Sequence, residues 1–165
     1  MDGTQTVFGS LDRYEKGRVD VFDDNPKRYV FSNVFEVASK SRPYEKVAVG
    51  RNLQYVIEVL RAEGNSPWYS NAHDEAVVVM DGEVEVHLLK PDTAPVPNGK
   101  GGSVQLTSEP EGRKMGWIKT RRGHMALLPK SAAYQFRSAK PAVLLIQTIK
   151  GDCTVERWAD ICQTA

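Results

Sequence analysis

The stretch from Ala76 to Leu89 constrains the fold most. Two β-branched runs, AVVVM at residues 76–80 and EVEVHLL at 83–89, flank Asp81-Gly82. β-Branched side chains pack well on a pleated surface, and glycine accepts a positive φ without steric penalty. The pattern therefore predicts a β-hairpin. Residues 52–60 (NLQYVIEVL) alternate, with Leu53, Tyr55, Ile57 and Val59 on one face and Gln54 and Glu58 on the other. A period of two predicts a strand whose faces meet different environments. Further strands are expected at 117–120, 124–128, 134–138 and 142–150. Short strands separated by turn signals indicate an all-β sandwich or barrel.

The remaining segments complete the plan. Residues 91–116 are rich in Pro, Gly and polar side chains and read as a long loop excursion. In TVERWADICQ, Val155, Trp158, Ile161 and Cys162 fall at helical spacing, which predicts a short C-terminal helix over the sandwich. Residues 1–28 show no clean period and are expected to form an N-terminal arm, leaving 29–165 as a single domain. A chain of 165 residues with 41% hydrophobic content suits one core.

Charge and composition exclude several function classes. A net charge of +1 gives no bulk electrostatic case for nucleic acid or an anionic membrane. Lys119, Arg121 and Arg122, with Lys114 nearby, read as a solvated loop in preference to an anion or partner site. No apolar run reaches bilayer-spanning length and no signal-like apolar region follows Met1, so a cytoplasmic protein is expected. Cys153 and Cys162 lack CxxC spacing and are expected to be reduced thiols.

The chemistry-bearing residues cluster just before the first β-branched run. On a strand, Tyr69, Asn71, His73 and Glu75 point to one side and would line one wall. His73 is either a general base helped by Asp74 or a hydrogen-bonded pocket histidine. Alternation puts Asp74 on the opposite face and favours the second. A buried Glu75 needs a Lys, Arg or Tyr partner. Trp68 and Tyr69 follow Pro67 at the strand mouth, suited either to rim packing or to stacking on an aromatic ligand. His87 and His124 read as ordinary strand or turn residues.

The run GNSPWYSNAHDEAVVVMDGEVEVHL from Gly64, and GHMALLPKSAAYQFRS from Gly123, resemble the two motifs of the cupin superfamily. The first motif carries an H-x-H pair, a glutamate, six residues and a glycine. Here Glu75 and Gly82 match, but Tyr69 and Asn71 stand at the histidine positions. In the second motif Gly123 and Pro129 match, while Ser131 replaces a glycine and Tyr134 the histidine. The resemblance implies a degenerate cupin-type jelly-roll. Three of the four usual ligands are lost, and neutral phenols and carboxamides are weak donors for a divalent transition ion, so no metal is expected in this chain.

YVFSNVFEVAS, NLQYVIEVLRAEG and SPWYSNAHDEAVVVMDGEVEVHL also resemble the small subunit of two-subunit hydroquinone 1,2-dioxygenases over most of residues 28–150. That resemblance implies a larger cupin partner carrying Fe(II), an α2β2 heterotetramer, and cleavage of hydroquinone to 4-hydroxymuconic semialdehyde in the degradation of aromatics such as 4-nitrophenol. It assigns no catalytic residue here. The substrate-pocket candidates are Trp68, Tyr69, Asn71, His73, Glu75 and Tyr134. Two rivals remain open: a stand-alone, non-catalytic cupin that binds a small phenolic ligand, and a cupin enzyme with an unusual metal site built from His73, Glu75 and Tyr134.

Overall fold

The computed structural model describes residues 33–158. The expected N-terminal arm lies outside them. A single helix, α1 (Val34–Lys40), opens this region, followed by nine strands. The strands are β1 (Val47–Asn52), β2 (Tyr55–Asn65), β3 (Tyr69–Asn71), β4 (Glu75–Asp81) and β5 (Glu83–Pro91). After them come β6 (Ser103–Gln105), β7 (Gly112–Arg121), β8 (Met125–Leu128) and β9 (Ala133–Ile149). Helix α1 was not anticipated. Its start is nevertheless encoded locally, because the Asn33 side chain accepts from the N–H groups of Phe35 and Glu36 and caps the first turn.

β9 organises the sheet. Along one edge it pairs with β2 and then β3, as Tyr55↔Ile149 through Asn65↔Arg137 and on to Tyr69↔Tyr134. Along the other edge β4 and β5 follow one another, from Ala76↔Gln147 to Leu89↔Ala133. β7 and β8 continue the layer, with Pro91↔Gly112 and Glu83↔Arg121 on β5, then Val78↔Met125 and Glu75↔Leu128 on β4. All these pairings are antiparallel.

This register corrects the expected hairpin at Asp81-Gly82. β4 and β5 do not pair with each other; they form one long bent strand laid along β9. The bend falls at Gly82 (φ 80°), level with Gly64 (φ 75°) in β2 and with the register break between Ser138 and Ala142 in β9. Gly123 (φ 87°) turns β7 into β8 beside it, its N–H donating to Val79 O at 2.8 Å. Aligned corners of this kind let a sheet curl on itself. The tight hairpin lies instead at Leu53–Gln54, where Asn52 pairs with Tyr55 and Leu53 takes φ 54°. Nothing in a Leu-Gln pair signals such a turn.

Three further expectations change. Residues 91–116 are not a structureless excursion, since they contain β6 and the first half of β7, and β6 pairs with β3 as Ser70↔Val104. The strands expected at 134–138 and 142–150 are one strand, β9. Residues 154–158 are not helical, and Trp158 bridges Ala48; the rest of the expected C-terminal helix lies outside the described residues.

The core fills the curl. Leu60, Ala62, Val77, Val79, Val84, Val86, Leu128, Phe136, Leu144 and Ile146 interlock inside it. Val37 and Ala38 of α1 cover Val47, Val49 and Val59 on the outside. Both faces of β2 are therefore covered, and Glu58 (1% exposed) stands on the inner face with Leu60 and Ala62. The polar face read from the sequence is the inside of the barrel.

A Cβ on Gly82 would lie 2.6 Å from Ala142 Cβ, in a left-handed backbone that L residues adopt at a cost. Gly82→Ala is expected to destabilise the fold by about 3 kcal/mol, the sum of that strain and overpacking. Chemical denaturation, with an unchanged m-value, checks it.

Candidate functional site

Tyr134 is the centre of the polar interior. Fully buried on β9, its hydroxyl donates to Glu75 Oε2 at 3.0 Å and lies 3.5 Å from Asn71 Oδ1. Its ring stacks on Tyr69 at 5.5 Å, a contact set by the register pair Tyr69↔Tyr134. Four of the six pocket candidates, at positions 69, 71, 75 and 134, thus meet around one phenol. The reason is topological: β3 and β4 run along opposite edges of β9 and face the same interior.

His73 sits apart from this group. Ala72–Asp74 interrupts the expected continuous strand, and Asp74 Oδ1 accepts from the Lys130 N–H at 2.7 Å, so it does not orient the imidazole. His73 Nε2 accepts from the Ile149 N–H at 3.1 Å and lies 3.3 Å from both Thr148 Oγ1 and Glu75 Oε1. A nitrogen that accepts a backbone N–H carries no proton, so this geometry assigns the Nδ1–H tautomer. The hydrogen-bonded pocket histidine is the reading this geometry favours.

Trp68 does not stand at a rim. Its indole packs against Leu89, Ala133 and Leu106 and is 8% exposed. The opening beside it, of about 550 Å³, is lined by Pro67 and Tyr69 but not by Trp68.

Lys46 and Glu58 were not among the pocket candidates read from the sequence, and both line this opening. Lys46 Nζ donates to Tyr134 Oη at 3.2 Å and to Ser103 Oγ at 3.3 Å. It lies 4.6 Å above the Tyr69 ring centroid and 3.9 Å from Glu58 Oε2. Tyr44, in the left-handed region at φ 59°, brings the chain to this point. Its N–H donates to Arg61 O and its hydroxyl to Gly64 O. No motif announces Lys46. Glu58 could have been suspected only as a carboxylate among buried aliphatic residues.

Burial sets the protonation of this group. Desolvation pushes Glu58 up to about 7 despite the Lys46 charge, and Glu58 Oε2 has no hydrogen-bond donor. Burial also raises Tyr134 and Tyr69, so both phenols stay neutral. Glu75 goes the other way. Burial pushes it up, but the nearby His73, the Lys46 charge and the hydroxyls of Thr148 and Tyr134 hold it below the usual carboxylate range. Because His73 Nε2 accepts from Ile149, the hydroxyls and Lys46 are the support that the geometry sustains.

These residues do not fit a ferrous ion. Neutral phenols and one carboxamide surround an ammonium, and among the described residues no three His, Cys, Asp or Glu side chains gather as an ion site.

A curled, all-antiparallel sheet with the Glu75–Gly82 and Gly123–Pro129 signatures defines a cupin. The same shape recurs in a double-stranded β-helix protein from Klebsiella pneumoniae, at TM-score 0.50, 14% identity, 75% of this chain and 92% of that one. A structure of hydroquinone 1,2-dioxygenase PnpCD with Cd2+ and 4-hydroxybenzonitrile contains a chain 51% identical, covering 98% of each, at TM-score 0.75. A hydroquinone 1,2-dioxygenase from Sphingomonas sp. TTNP3, with 4-hydroxybenzoate bound, is 56% identical over 96% of this chain and 97% of that one, at TM-score 0.76. The chain belongs to the small-subunit family of the two-subunit hydroquinone 1,2-dioxygenases. The fold also matches part of a longer chain in a PnpCD structure with Fe3+, at TM-score 0.57 and 14% identity, spanning 89% of this chain but 37% of that one. No family model matches the chain, and no curated protein sequence does.

Tyr134→Phe removes a donor from a buried carboxylate and an acceptor from Lys46. The expected loss is about 2 kcal/mol at pH 7. A depressed Glu75 stabilises the fold above the ordinary carboxylate value of 4.5, and that contribution disappears as pH falls through its folded value. The deficit of Tyr134→Phe should therefore shrink toward pH 3, which urea unfolding across pH measures.

Proposed function

We propose that this chain is the iron-free small subunit of an Fe(II)-dependent hydroquinone 1,2-dioxygenase. Its larger partner holds the iron, which supplies dioxygen activation. The product of hydroquinone cleavage is 4-hydroxymuconic semialdehyde, with both oxygen atoms of O2 incorporated. The pair assembles as an α2β2 heterotetramer in the cytoplasm. This chain braces the partner's chamber and excludes water from it.

One observation carries the reading. Three of the four positions that hold ligands in metal-binding cupins are occupied by two neutral phenols and a carboxamide, and the retained Glu75 is bonded to a phenol that accepts from an ammonium, in a chain whose relatives belong to a ring-cleaving enzyme. The outer surface supports a partner as well. Among the described residues β7 pairs only with β5; it exposes Met115, Trp117 and Ile118, and β8 exposes Met125 and Leu127. An open strand edge with exposed apolar side chains suits burial under another chain. Among the pocket candidates, Tyr69 lies nearest the opening, and Trp68 serves packing.

A second reading is favoured by the opening at Lys46, Glu58 and Tyr69: a non-catalytic cupin that takes a small phenolic ligand into its own barrel. Co-expression separates the two. The subunit reading expects a larger chain to co-purify, iron to follow that chain, and oxygen uptake with hydroquinone from the complex alone. Stoichiometric iron or oxygen uptake in the isolated small chain overturns it. Calorimetric binding of 4-hydroxybenzoate to the isolated chain, with no co-purifying partner, favours the second.

A further inference from the structure

We propose that the Lys46 ammonium is the built-in cation of this barrel, standing in for the metal ion at the point where the ligand positions converge. The inference rests on the iron-free reading and goes beyond it by naming what replaces the ion.

The geometry carries it. The ammonium donates to Tyr134 Oη and Ser103 Oγ at 3.2 and 3.3 Å, and its charge lies 3.9 Å from Glu58 Oε2, an ion pair without a hydrogen bond. Tyr134 stands at the motif-two ligand position and passes the interaction on, donating to Glu75 Oε2 at 3.0 Å. Tyr69, at a motif-one position, offers its ring face 4.6 Å away. Asn71 is reached through Tyr134, at 3.5 Å. All four former ligand positions are thus in direct contact with Lys46 or one hydrogen bond removed from it.

Charge explains why a cation is required. Glu58 and Glu75 are each 1% exposed, and two carboxylates in one small interior need positive charge nearby. Lys46 acts on both, pulling each down against the upward pressure of burial. In a metal-binding cupin the ion supplies that charge. The ammonium supplies it here without requiring the phenols to ionise, and its presence opposes entry of a divalent ion.

The test uses the full-length chain, alone and with its larger partner. The charged and titratable groups around Lys46 are Glu58 on β2, Tyr69 on β3, Glu75 on β4 and Tyr134 on β9, with Arg42, Tyr44 and Glu45 on the incoming segment, Cys153 and Arg157 lining the same opening and His73 beyond Glu75. Lys46→Met leaves Glu58 and Glu75 without their cation. Its folded state then favours protonated acids, and stability falls as pH rises above the ordinary carboxylate value. The expected drop in Tm relative to the parent chain is on the order of 10 °C larger at pH 8 than at pH 5. Adding Glu58→Gln to Lys46→Met should recover most of the loss at pH 8, and a single variant that folds only at acidic pH reads the same way. Mn2+ should leave the Tm of the parent chain unchanged. A drop that is flat with pH, or a double variant no better than the single one, sinks the role of Lys46 alone. Iron or Mn2+ held by the parent chain through Glu75 sinks the iron-free reading as well.

Discussion

A positive charge inside the barrel is the condition on which the rest depends. Glu58 and Glu75 are closed off from water by the same strands that make the core, and neither carboxylate could stay there unmatched. Lys46 meets that condition while remaining within reach of solvent at the opening. The ion pair with Glu58 lacks a short hydrogen bond, and Glu58 is pushed up to about 7; Glu75, held by hydroxyls on two strands, stays low. Two identical side chains in one cavity thus differ in protonation because of who donates to them.

The curled sheet makes this arrangement possible. β9 presents Tyr134 and Thr148 to the interior from its two ends, and Glu75 is bonded by both. Tyr69 arrives on the opposite edge of β9 through β3. Without the shared corner at Gly64, Gly82 and the Ser138–Ala142 break, a flat sheet would set these edges apart. The polar cluster and the fold therefore stand on the same set of register breaks.

Much of this was legible in the sequence, and the failures have physical causes. β-Branched runs and alternation revealed the all-β class, and the resemblance of the segments around Glu75, Gly82, Gly123 and Pro129 to the two cupin motifs implied the cupin plan. Even the departure at Ser131 was informative: the structure holds it at φ 61°, the backbone a motif glycine serves. Asp81-Gly82 misled because positive φ serves a bend within a long strand as well as a hairpin. Glu58 was passed over because alternation separates the two faces of a strand without saying which of them is the interior. Lys46 carries no local signal, since its meaning comes from strands distant in the chain. The α1 cap was readable, because Asn33 and Glu36 have the spacing of a capping pair.

Among the described strands β9 leaves the ribosome last, yet β2, β3, β4 and β5 all take it as a neighbour. Until it arrives, the earlier strands have synthesised edges with no permanent occupant. Such long-range closure slows folding and prolongs exposure of apolar segments. The nascent chain therefore exposes the most unpaired strand edge just before β9 is made.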